Sequence, residues 1–208
     1  MSNIVYVTVG HTASGKSTLS RMLSVQYNVQ YISEGAIKRA LVKSYKSEDS
    51  LDESLRNQGY QLAINELSST LKNHTTAILD ASFHKRFRRK WLYDMLETIP
   101  DTYVVWLYCY CPCTDIIRKR IKMRNDNKNK YADIQADIFD IYEHIQRTFD
   151  IPTINEFPKE IPTAIIKIDT YNNVVEDMSY NTTFNIDIIK NLMRDFFPNY
   201  FLSMKHRV

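Results

Sequence analysis

Gly10-His11-Thr12-Ala13-Ser14-Gly15-Lys16-Ser17-Thr18 is the stretch on which the reading of this 208-residue chain turns. It fits the pattern G-x-x-x-x-G-K-[ST], a loop whose backbone amides cradle phosphate groups. The run before it, Asn3-Ile4-Val5-Tyr6-Val7-Thr8-Val9, is short, apolar and β-branched, which predicts a buried strand. After it, Leu19, Met22, Leu23 and Gln26 recur at helical spacing from Ser17 to Tyr27. Strand, glycine loop and helix are the context that gives the motif meaning. The chain has only 4 Gly, and two of them stand at the motif's fixed positions, so a chance match is a poor explanation.

The residue types suit the chemistry. A triphosphate concentrates negative charge, and backbone N–H groups at the positive end of a helix meet it without a side chain in the way. Gly10 and Gly15 permit the backbone angles and the close approach. Lys16 is expected to reach the β- and γ-phosphates, with the Ser17 hydroxyl on Mg²⁺. Thr12, Ala13, Ser14 and Thr18 complete the expected nucleotide-binding loop.

Composition bounds the rest. The length suits one domain, residues 1–208, with 44% hydrophobic and 25% charged residues, as in ordinary globular chains. The net charge of +3 is too small to argue nucleic-acid binding by itself. The 3 Cys, Cys109, Cys111 and Cys113, alternate in one short stretch and cannot form a disulfide framework, which points to a reducing compartment. No apolar run is long enough to span a membrane and the N-terminus lacks a leader's design, so a cytoplasmic protein is expected.

Further along, Val29 to Ile32 reads as a second strand that leads through Ser33, a capping residue, into a helix with Ile37, Leu41 and Val42 on one face. Ligands of such sheets lie beyond the carboxyl ends of the strands. Glu34 is therefore a candidate general base, and Lys38 and Arg39 are candidate substrate clamps; a first-turn acid that offsets the helix dipole is the alternative for Glu34. A long helix is expected over Leu51 to Leu71, with a break at Gly59. Thr75 to Phe83 is a buried strand whose Asp80 can hold Mg²⁺ through water.

Five of the nine residues from His84 to Leu92 are Lys or Arg. They form either a solvated basic helix or a groove for a polyanion, in which Arg86 and Arg89 bind substrate. Thr102 to Cys111 is another buried strand, followed by a helix on which Arg120 and Arg124 share a face. With the polar stretch Asn125 to Lys130 they suggest a lid over about residues 120–133 that brings cations to a transferring phosphate. A helix over Ala132 to Phe149, a last strand over Thr163 to Thr170, a last helix over Asp187 to Phe197 and an aromatic tail from about residue 198 complete the chain. The alternation of strands and helices predicts an α/β fold with a central parallel sheet covered on both faces.

The order of these motifs resembles that of the P-loop kinases of the polynucleotide-kinase and zeta-toxin-like (AAA_33-type) group. The carriers are the Walker-A loop, Leu79-Asp80-Ala81-Ser82-Phe83 with Arg89 nine residues after the Asp, Cys111-Pro112 followed by Arg120 and Arg124, Phe149-x-x-Pro152, and Ile168-Asp169-Thr170. The resemblance covers about residues 3–195 and implies a sheet of about five parallel strands, an Arg-bearing lid, and ATP with Mg²⁺ as phosphate donor to a hydroxyl. In the polynucleotide-kinase branch an Asp after the second strand deprotonates the attacking hydroxyl, with an Arg three residues later. Gly35 and Lys38 stand at those positions here, and Glu34 lies one place early. A second alignment makes Ile32 to Arg39 similar to the acceptor-phosphate turn of adenylate kinases, with Arg39 as the clamp. Both place this turn at the acceptor site. The lid pair of the polynucleotide branch matches Arg120 and Arg124.

The function expected is thus an ATP-dependent kinase acting on a hydroxyl of a nucleic acid or nucleotide-like acceptor, a 5′ end or a modified DNA base. The alternatives are a small-molecule or nucleoside-monophosphate kinase and, from another class, a nucleotide-dependent switch. No guanine-reading N-K-x-D motif is present.

Overall fold

A computed structural model describes residues 2–45, 53–73, 76–126 and 139–198. The lid segment from residue 127 onward and the tail beyond residue 198 lie outside the described residues. The elements in chain order are β1 (Asn3–Val9), α1 (Lys16–Tyr27), β2 (Gln30–Ser33), α2 (Glu34–Tyr45), α3 (Glu53–Leu71), β3 (Thr76–Asp80), α4 (Arg86–Leu96), β4 (Thr102–Tyr110), α5 (Thr114–Asp126), α6 (Phe139–Arg147), a 3₁₀ turn (Ile154–Glu156), β5 (Thr163–Asp169), β6 (Val174–Tyr180) and α7 (Asp187–Phe196).

The sheet runs β2-β3-β1-β4-β5-β6. β1 to β5 are parallel, and β6 returns antiparallel to β5. The strands are apolar on both faces because both are covered. Val5, Val7, Val9, Leu79, Val104 and Trp106 pack against α3 and α4 through Tyr60, Leu67, Leu92 and Leu96. Tyr6, Ile78, Val105, Leu107 and Ile166 pack on the other face against Leu19 and Leu23 of α1 and Ile189 and Leu192 of α7. This is the expected α/β three-layer fold.

Three expectations are corrected. The sheet has six strands, because β6 forms a hairpin with β5 through a turn at Thr170–Asn173. Asp169 organises that turn by accepting from the backbone N–H groups of Tyr171 (2.8 Å) and Asn172 (3.1 Å), and Asn173 takes a left-handed φ of 54°. β6 escapes a hydrophobicity reading because it is a largely exposed edge strand carrying Glu176 and Asp177.

Second, Gly59 does not break α3, which is continuous over 19 residues. A Cβ on Gly59 would lie 3.2 Å from Glu34 Oε1 and 3.5 Å from Lys38 Cβ, so the missing side chain lets α2 pack close.

Third, the basic run is only in part a solvated face: Arg86 and Lys90 are exposed, whereas Arg88 and Arg89 are buried. Lys85 Nζ donates to Thr148 O at 2.6 Å, and Arg88, fully buried, pairs with Glu53 and donates to Asn57 Oδ1. Arg89 is 1% exposed; its Nε and Nη2 grip Glu156 at 2.7 and 3.0 Å while Nη1 donates to Phe83 O at 2.7 Å. Arg86 leans on Glu156 at 3.4 Å, and Lys90 pairs with Asp94 on the surface. Arg89 thereby ties α4 to the 3₁₀ turn, and Arg86 leans on the same carboxylate from the surface; neither lines the cleft described below.

Breaking a buried pair strands a charge that water cannot reach, whereas an exposed pair gains little. Glu156→Ala should cost about 3–5 kcal/mol in urea unfolding, and Lys90→Ala about 0–1 kcal/mol. Equal effects would contradict this account of Arg89.

Candidate active site at the carboxyl edge of the sheet

The phosphate loop links β1 to α1 where the parallel strands end. Gly10 has φ +147°, and a Cβ there would stand 2.1 Å from Cys109 O, inside van der Waals contact with the neighbouring strand. Gly15 has φ +91° and forms the N-cap of α1 without a side-chain cap, so the first amides of the helix are left for a ligand. The Ser14 hydroxyl is buried and has no hydrogen-bond partner among the described residues. Lys16 Nζ is folded onto its own loop, donating to His11 O at 2.6 Å.

A loop that turns amides toward a ligand turns carbonyls away from it, and those need donors. Thr170 Oγ1, at the end of β5, bonds to Ser14 O at 2.6 Å and Tyr110 O at 3.1 Å. Arg120 of α5 donates through Nη1 to Ala13 O at 3.0 Å and through Nη2 to Thr170 O at 3.3 Å. Arg120 was expected to meet the transferring phosphate; here it lines the cleft and braces the loop from α5. Half of the lid, from residue 127 on, falls outside the described residues. Ala13, with φ 60°, packs on Ile117, Ile121 and Tyr142, which fixes the loop's outer corner.

Asp80 ends β3 beside the loop and is 4% exposed. Both carboxylate oxygens are engaged: Thr8 Oγ1 donates to Oδ1 at 3.0 Å and Tyr31 Oη to Oδ2 at 2.7 Å. Burial and then the Asp80 charge push the Tyr31 phenol up to about 12, so it stays a donor at neutral pH. Burial, followed by the Lys16 charge, lowers His11 to about 4, which keeps its imidazole neutral against Phe149 at 4.4 Å between ring centroids.

One cleft of about 950 Å³ gathers these groups. Thr12 to Thr18, Glu34, Arg39, Asp80, Arg120 and Arg124 all line it. Glu34 is 6% exposed at the N-terminus of α2, which Ser33 caps by accepting from Ala36 N at 3.3 Å. Lys38 does not line the cleft: it is 9% exposed and packs toward Gly59. Thr8, Tyr31 and Thr170 were not foreseen as site residues. The signals were Thr8, a polar residue in an apolar run that leads to the loop, and the place of Thr170 in the Ile168-Asp169-Thr170 motif.

The donor set fits a Mg²⁺-nucleotide. Among the described residues no three acids, histidines or cysteines cluster to hold a metal by themselves, and Mg²⁺ in such sites takes much of its shell from phosphates and water. Ser17 and Asp80 are the protein groups that would hold it, and Ser14, Lys16 and the loop amides fit the phosphates.

The family model AAA_33, an AAA domain, matches residues 5–147. No curated protein matches the chain. Among solved structures, a candidate kinase from Chloroflexus aurantiacus aligns at TM-score 0.63 and 17% identity over 94% of this chain and 99% of that one. Kti12 from Chaetomium thermophilum, solved with ADP-AlF3, aligns at 0.58 and 15% over 80% and 89%. A sugar kinase from Janibacter sp. aligns at 0.53 and 15% over 80% and 86%. At such identities the likeness is one of fold. Among the described residues no helix is long and apolar enough to cross a membrane.

Removing a buried donor leaves an unpaired carbonyl, a loss of about 1–3 kcal/mol. Thr170→Val should therefore weaken ATP binding roughly tenfold in calorimetry, with the far-UV spectrum unchanged. Unaltered affinity would mean that the brace does not shape the loop. With its phosphate loop, its strand-end Asp80 and a family model that spans most of its length, the chain belongs to the AAA_33 family of P-loop proteins with a kinase-type fold.

Proposed function

We propose that the protein is an ATP-dependent kinase that transfers the γ-phosphate of ATP to the hydroxyl of a small or nucleotide-like acceptor. The observation that carries this reading is the shared cleft: the phosphate loop, Asp80 and the buried carboxylate of Glu34 line one space. ATP supplies the phosphoryl group, and Mg²⁺, when bound, neutralises its charge.

Each residue then has a task. Lys16 leaves His11 O and turns to the phosphates. Asp80, steadied by Thr8 and Tyr31, would help to hold Mg²⁺ through water. Glu34 accepts the hydroxyl proton as the acceptor oxygen bonds to phosphorus and the bond to the departing ADP oxygen breaks. Arg39 contacts the acceptor, and Arg124 faces the transferred group. The cytoplasm and a single domain fit this role.

A polynucleotide acceptor is the second reading, and the resemblance to polynucleotide kinases supports it. The burial of Arg88 and Arg89 in ion pairs weighs against it, since a nucleic-acid backbone needs cations free to replace its counterions.

The test is a transfer assay with labelled ATP, Mg²⁺ and a panel of 5′-hydroxyl DNA and RNA, hydroxymethylated DNA, nucleosides, nucleotides, hydroxy acids and sugars. Label is expected on a small acceptor, with rates that change little between low and high salt. Label on a polynucleotide with a steep salt dependence would establish the second reading. Lys16→Met should abolish transfer and weaken ATP binding. ATP hydrolysis with no acceptor labelled would favour a nucleotide-dependent switch.

A further inference from the structure

Gly59 stands inside α3, which is continuous over 19 residues, although glycine is a poorer helix former than alanine. The reason lies across the helix surface, where α2 packs. Lys38 Cβ and Cα would stand 3.5 and 3.8 Å from a Cβ at position 59, ordinary van der Waals distances, so the α2 backbone leaves room for a methyl group. Glu34 Oε1, at 3.2 Å, does not. What keeps a side chain out of position 59 is one carboxylate oxygen.

That carboxylate belongs to the cleft. Glu34 lines it beside Ser33, Gly35 and Arg39 and is 6% exposed. On the next residue of α3, the buried Tyr60 Oη accepts from Phe83 N at 3.0 Å. Phe83 has a left-handed φ of 40°, and Arg89 Nη1 donates to its carbonyl at 2.7 Å. The loop held in this way brings Ala81 and Ser82 to the cleft, and Ser82 O accepts from Gly10 N at 3.1 Å. Burial, then the Glu34 charge, push the Tyr60 phenol up, as a carboxylate close by requires. Neighbouring residues of one helix therefore meet two walls of the site, Gly59 the Glu34 carboxylate and Tyr60 the loop after Asp80.

We propose that Gly59 is a positioning residue for Glu34: by carrying no side chain it lets Oε1 seat against α3, and this fixes the carboxylate where it meets the acceptor hydroxyl. The inference rests on the kinase reading of the cleft, with Glu34 as the proton acceptor. A methyl group at position 59 forces Oε1 back by a few tenths of an ångström or turns the Glu34 side chain to another rotamer. A general base must stand within hydrogen-bond reach of the proton it takes. Its misplacement costs rate, whereas the phosphate loop still binds the nucleotide.

The test uses saturating Mg²⁺-ATP and the acceptor that takes label in the transfer panel, with AMP-PNP affinity followed by calorimetry. Gly59→Ala should lower kcat by about tenfold or more, with AMP-PNP affinity and the far-UV spectrum unchanged. Glu34→Asp is one methylene shorter, so the cost of Gly59→Ala should shrink when Glu34→Asp is already present. In a Glu34→Gln background there is no proton acceptor to misplace, and Gly59→Ala should cost no further rate.

A Gly59→Ala protein that transfers at the wild-type kcat, or that loses rate equally in the Glu34→Gln background, overturns the positioning role and leaves the kinase reading standing. So does a Gly59→Ala protein that fails to fold both alone and together with Glu34→Asp, since packing alone then explains the glycine. A wild-type rate in Glu34→Gln removes Glu34 as the base and this inference with it. A wild-type protein that labels no acceptor overturns the kinase reading as well.

Discussion

The phosphate loop can aim its amides into the cleft only because its carbonyls are held from behind. Thr170 at the end of β5 and Arg120 on α5 hold Ser14 O and Ala13 O. Thr170 is also the residue a Cβ on Gly15 would strike, at 3.0 Å. The loop is thus pressed between a helix and a strand that lie far from it in sequence. Gly10 adds the third wall, where the backbone passes so close to Cys109 that no side chain fits. A rigid ring of N–H groups is useful because it costs no reorganisation when charge arrives.

The same economy applies to Asp80. A lone buried carboxylate would be expensive, but hydroxyls from β1 and β2 engage its two oxygens from either side. The strand order β2-β3-β1 is what places Tyr31, Asp80 and Thr8 in a row. Topology here sets the electrostatics: the two hydroxyls hold the carboxylate from either side at the end of β3.

The basic run shows how far composition can mislead. Five cations within nine residues suggest a polyanion, yet Arg88 and Arg89 are buried in ion pairs that lock α4 to α3 and to the 3₁₀ turn. Their planar, multi-donor heads suit that use, since each binds several acceptors at once.

Much of the fold was legible from local pattern. The glycine loop between an apolar strand and an amphipathic helix, five of the six strands, the Ser33 cap and the strand-end Asp80 all follow from short-range periodicity and backbone demands. Glu34, Arg39 and Arg124 also reach the cleft as their positions after strands and on helices implied. β6 was not legible, because an exposed edge strand has no need of an apolar run. Gly59 looked like a helix break, since its reason is a neighbouring helix rather than a turn. The residues alone therefore determined where phosphate could bind and which acid stands beside it, because those depend on adjacent backbone. The tertiary structure alone decided that Arg120 braces, that Arg89 is structural and that Tyr31 steadies Asp80. A polar side chain's role is set by the partner it meets, and Asp80, Glu156 and Thr170 lie 49 or more residues along the chain from Tyr31, Arg89 and Arg120.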